Sequence, residues 1–162
     1  MAMRDSMLSV TAPHQVLFEG LASAMPLFAA SDDAALVARV RLDHYVNLVR
    51  AILHESINDG QTVAECLALG RSLVPWWSDE VIADHLADCG ADPRLRSYLW
   101  SYPAGLDWFV ALADQADSRV TAEVLHAAYR EPLTPGELAQ YWPAGLVVAD
   151  REPVRVRQSP LS

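Results

Sequence analysis

Apolar residues recur at three- and four-residue spacing through most of the chain, while the strict alternation that suits a strand is nearly absent. This pattern predicts an all-α, single-domain bundle of about six to seven helices. The first helix takes Pro13 in its opening turn and runs to about Ala29, bending near Pro26. The second and longest spans about Asp32 to Asn58, with Ser31 as its cap and Asp59-Gly60 as its end. Thr62 and Glu65 form a capping box for the third, which must stop before Pro75. Ser78 caps the fourth and Gly90 closes it. Asp92-Pro93 opens the fifth, which meets Pro103 in its middle and is expected to kink or split around Ser101-Tyr102-Pro103. Ser118 starts the sixth, and Thr134-Pro135-Gly136-Glu137 is a capping box for a short last helix. Beyond Pro143 the apolar pattern fades into Pro153, Pro160 and three Arg. The expected organisation is a helical domain over 1–143 and a flexible, disordered Arg- and Pro-containing tail over 144–162.

One residue disturbs the first helix. Glu19 is the sole formally charged side chain between Asp5 and Asp32, inside a segment that otherwise reads as buried core. A carboxylate removed from water without a partner costs several kcal/mol, so the fold must supply a cation, a metal or a proton. An ion pair with Arg or His meets that need, as does a role as metal ligand or catalytic acid.

Composition narrows the function. A length of 162 residues suits one domain able to bury roughly 70% of its unfolded surface without a staple. The formal net charge of −9 repels phosphate backbones and anionic membranes, which argues against nucleic acid as a partner. All 12 basic residues are Arg, so no lysine nucleophile or Schiff base is available. Cys66 and Cys89 are too few for a disulfide framework and lack CxxC spacing. Met1–Gln15 has no basic start followed by an apolar run, and the next apolar stretch is too short to span a bilayer. The expected location is cytoplasmic, with no membrane association. No P-loop, G-x-S-x-G or G-x-G-x-x-G is present.

Candidate chemistry concentrates on the second helix. His54-Glu55-Ser56-Ile57-Asn58 begins like the zinc-peptidase helix signature but places Asn58 where the second histidine would stand. At about 100° per residue, His44, Asn47, Ala51, His54, Glu55 and Asn58 fall within one arc, opposite Leu42, Tyr45, Val46, Val49, Ile52, Leu53 and Ile57. A solvated face explains this arc, and a polar groove is the alternative. Glu80 and Asp84 on the fourth helix have the spacing for a hard cation, although acidic residues near a helix start are ordinarily dipole partners. Tyr102, at the expected helix break, could donate to a bound anion. Trp100 and Trp108 read first as core groups. The candidate site takes Glu55 and Tyr102 as catalytic, His44, Asn58 and Trp108 as substrate-binding, and Glu19, His14 and His54 as metal ligands.

Three short elements, Phe18-Glu19-Gly20-Leu21-Ala22, Tyr102-x-x-Gly105 and Leu133-Thr134-Pro135-Gly136-Glu137-Leu138, resemble the C-terminal half of helical zinc metallopeptidases of the gluzincin type, including uncharacterised actinobacterial proteins. In that family an H-E-x-x-H helix supplies two zinc ligands and the general base, a downstream Glu-Gly supplies the third ligand, and a later tyrosine stabilises the transition state. The resemblance implies zinc as a possible cofactor, Glu19 as the third ligand and Tyr102 as that tyrosine. The H-E-x-x-H helix is not found upstream, and His54-Glu55 follows Glu19 instead of preceding it. The expectation is a metallopeptidase-like domain without a complete zinc site, binding a ligand or depending on a partner chain. The alternatives are a small hydrolase or cyclising enzyme using Glu19, His54, Glu55 and Tyr102, and a helical module that forms homodimers.

Overall fold

The computed structural model describes residues 12–91 and 93–146, with backbone alone for 88–91 and 93–99. The expected disordered tail lies outside these residues, apart from its first three. Among the described residues the secondary structure is entirely helical, in eight helices. They are α1 (Gln15–Ala24), α2 (Pro26–Ala29), α3 (Ala34–Asn58), α4 (Val63–Leu73), α5 (Asp79–Ala91), α6 (Pro93–Gln115), α7 (Ser118–Arg130) and α8 (Pro135–Tyr141). No helix among them is long and apolar enough to cross a membrane.

The termini follow local chemistry. Both capping boxes form: Thr62 with Glu65 opens α4 and Thr134 with Glu137 opens α8, each satisfying two orphan donors reciprocally. Asp33 caps α3 in place of the expected Ser31, because its Oδ1 accepts from the amides of Ala35 at 3.0 Å and Leu36 at 3.1 Å. Asp117 likewise caps α7 through Val120 at 2.8 Å, so Ser118 is the first helical residue. Gly60, at φ 93°, closes α3 in a conformation that strains any side chain.

Two prolines act differently from one another. Pro26 has no N–H to donate, and the expected bend becomes a break at Met25 that separates α1 from α2 and adds a helix to the count. Pro103 was expected to split its helix, yet α6 runs unbroken through it. The lost hydrogen bond is confined to one carbonyl, and α6 is held on either side by α1 and α3.

The 25-residue α3 is a spine about 37 Å long with a hydrophobic cluster toward each end. Leu17, Leu21 and Leu27 meet Val40, Leu106, Phe109, Leu112, Val124 and Leu138 around the α1–α6 contact. At the other end Val49 and Leu53 pack with Cys66, Val74, Ile82 and Leu86 of the α4–α5 hairpin. The α1–α6 contact is the most extensive in the described fold. It closes on backbone: a Cβ added to Gly20 would sit 2.3 Å from the carbonyl carbon of Gly105, and one added to Gly105 would sit 2.1 Å from the carbonyl oxygen of Val16.

Candidate site on the α3–α6 seam

The polar arc of α3 is neither a solvated face nor an open groove, because it packs against α6. Ala51 and His54 are buried, and His44 is half-buried. Three contacts run in antiparallel register along the seam. Arg41 grips Asp114 through both guanidinium nitrogens, one at 2.7 Å. His44 Nε2 lies 2.9 Å from Asp107 Oδ1. The His54 ring, 8% exposed, stands edge-on to Trp100 with centroids 5.1 Å apart. Polar residues occupy this face because α6 offers carboxylates and an indole there, and bonded polar groups can be enclosed at small cost. The Asp114 carboxylate bonded to Arg41 raises its guanidinium pKa above the ordinary value, against the opposing effect of burial.

Glu55 follows His54 and is half-buried; desolvation, then the negative charge of Asp59, pushes its carboxyl above the ordinary range. Asn58 lies at the exposed end of α3, its Nδ2 donating to the carbonyl of His54 at 2.6 Å. Tyr102 is half-buried on α6, one turn before Gly105. Trp108, expected to touch substrate, is 2% exposed and packed between Phe109 and Trp142 at 4.9 and 5.5 Å. It is a core residue, since its side chain faces the α1 and α8 side of α6.

The three expected metal ligands are not brought together. His14 lies at the N-terminal cap of α1, close enough to Glu137 for its charge to help hold that carboxyl low, after the backbone and hydroxyl hydrogen bonds of Thr134. His54 lies in the α3–α6 seam against Trp100. Glu19 is half-buried on α1 rather than enclosed, because the neighbouring Phe18 and Ala22 face outward. Among the described residues no three His, Cys, Asp or Glu side chains form a group able to hold a metal, so the donor set does not fit zinc.

The glycine-containing motifs have a different use. Gly20 and Gly105, the fixed points of Phe18-Glu19-Gly20 and Tyr102-x-x-Gly105, are the two sides of the α1–α6 crossing. A glycine inside a helix that costs about 1 kcal/mol in propensity signals such a close approach. The Leu133-to-Leu138 motif is the capping box of α8, flanked by two buried leucines.

Two apolar surfaces were not anticipated from the chain. An open depression of about 410 Å³ lies between α2, the end of α6 and α7, lined by Leu27, Phe28, Ala116, Ser118, Thr121 and Leu125 among others, none charged. On the outer side of α1, Phe18 is 43% exposed and Ala22 is exposed, while Tyr129 of α7 is 70% exposed with its hydroxyl 3.6 Å from Met25 Sδ. The detectable signal was the near absence of charge on the first helix, read there as burial. Elsewhere Trp77 packs against His85 at 4.7 Å, while Trp76 stands 60% exposed against Tyr45. No protein-family model, curated protein or solved structure matches the chain.

Proposed function

We propose that this chain is a cytoplasmic helical binding domain that acts through a partner, a remodelled relative of the metallopeptidase half it resembles and without a zinc site of its own. The observation that carries this reading is the uncovered apolar face formed by Phe18, Ala22 and Tyr129. A helix that is apolar all round is ordinarily enclosed, and large uncovered apolar groups on a folded protein mark interaction sites. The resemblance motifs support a shared scaffold, since their glycines and cap residues serve packing and helix termination.

The test has two arms. Benzoylphenylalanine placed at position 18 in cells producing the chain should give a photo-crosslinked protein adduct, whereas placement at exposed Gln61 should not. The purified chain should melt at the same temperature with EDTA and with zinc. A melting temperature several degrees lower in chelator would restore the zinc enzyme, and no adduct at position 18 would remove the binding reading.

A second reading, an acid–base enzyme working from the seam, is favoured by the raised carboxyl of Glu55 beside His54. It requires hydrolytic turnover that Glu55→Gln abolishes without changing the melt.

A further inference from the structure

We infer that the partner is a second copy of this chain, seated through the outer face of α1 in a two-fold dimer; this rests on the binding reading above. Charge decides the occupant. A two-fold contact sets each surface against its own copy, so any charge on the patch is brought toward the same charge. With a net charge of −9, most faces of this chain repel another copy. Both α1 and α2 are exceptions: Glu19 is their sole charged residue, and it is half-buried beside the patch. A basic partner would instead be drawn to acidic surfaces such as Asp79, Glu80 and Asp84 of α5.

Shape agrees with charge. Phe18, Ala22 and Met25 recur at four- and three-residue spacing and share one side of the helix. Ala22 leaves a shallow place between two larger groups, so in an antiparallel crossing Phe18 of one copy fits over Ala22 of the other, and the reverse. Tyr129, held against Met25, extends the patch with an aromatic group that is 70% exposed, the residue type enriched where proteins meet. The same helix therefore uses a glycine inward, to close on α6, and an alanine outward, to receive its copy.

Sedimentation equilibrium of the full chain tests this. Wild type should sediment at twice its 17.8 kDa mass at micromolar concentration. Ala22→Glu, a helix-compatible change at an exposed position, should raise the dimer dissociation constant by about 30-fold or more with an unchanged helical spectrum. Trp76→Ala, on the α4–α5 side, should leave the dimer intact. A monomer at all concentrations up to about 100 μM, or a dimer that survives Ala22→Glu, overturns the second copy as occupant. If that happens while position 18 still crosslinks to a protein of another mass, the binding reading stands and only its occupant changes; if neither association occurs, both fall.

Discussion

Replacing Gly20 with alanine probes the contact on which the fold depends most. The new Cβ would lie 2.3 Å from the carbonyl carbon of Gly105 and 2.5 Å from its Cα and oxygen, all backbone atoms. Carbon contacts settle at about 3.5–4.0 Å, so α1 and α6 must separate by about 1 Å or more. A gap of that size forfeits a quarter to a half of each dispersion contact along the crossing. Overpacking costs typically about 1–3 kcal/mol and more where backbone must move, while the better helix propensity of alanine returns about 1 kcal/mol. The net expectation is a loss of about 2–4 kcal/mol, or roughly 6–15 °C in melting temperature for a body of this size. Urea unfolding followed by circular dichroism measures it. Gly105→Ala should cost a similar amount, its Cβ meeting Val16 oxygen at 2.1 Å and Gly20 Cα at 2.8 Å. The double substitution should cost less than the sum, because both changes push the same two backbones apart. Gly70→Ala is the control: its Cβ meets only the Ile82 side chain, at 2.9 Å, which can turn away. A Gly20→Ala protein within about 0.5 kcal/mol of wild type, or one more stable than Gly70→Ala, would refute the close-crossing argument.

Three further outcomes follow from the seam and the caps. Burial followed by Asp59 raises the Glu55 carboxyl, so the folded state holds this proton to higher pH than the unfolded state does, and stability falls as pH rises through that window. Glu55→Gln should therefore melt above wild type at pH 7, with the difference closing toward pH 4, as differential scanning calorimetry across pH would record. Hydrogen bonds from the backbone and then the side chain of their threonine partners lower Glu65 and Glu137, giving the opposite sign: their contribution is present at neutral pH and lost as pH falls below the ordinary carboxylate range. Thr134→Ala, which removes the cap of α8, should cost about 1 kcal/mol in urea unfolding, and a change below about 0.3 kcal/mol would count against the capping box as an anchor for Leu138 and Trp142. Double-mutant cycles should give the largely exposed Arg41–Asp114 pair a coupling below about 1 kcal/mol. The more enclosed His44–Asp107 pair should give about 0.5–1.5 kcal/mol, and the reverse order would contradict burial as the cause.

The helices were legible because their signals are local. Thr62 with Glu65, Thr134 with Glu137, and the Gly60 stop act within four residues, and each appears where the chain predicts it. The errors arise where a partner several helices away decides the outcome. Ser31 and Asp33 are both good caps, and only the path of the chain into α3 selects the carboxylate. The arc of His44, Ala51 and His54 has the spacing of a solvated face, yet Asp107 and Trp100, more than forty positions downstream, turn it into an interior seam. Periodicity states that two sides of a helix differ and leaves open which element covers each. The same limit governs the first helix. Its lack of charge was correctly read as unsuited to water, but that property allows two destinations, the interior of this chain or the surface of another. Gly20 goes to the first, against Gly105, while Phe18 and Ala22, on the outward side, are left to the second. Glu19 stands between those sides, half-buried, so its isolation along the chain reflects two apolar contacts flanking it more than a metal that needs it. Glu19→Gln should accordingly leave the melt in EDTA and in zinc equal, while Ala22→Glu, three residues on, should dissociate the dimer.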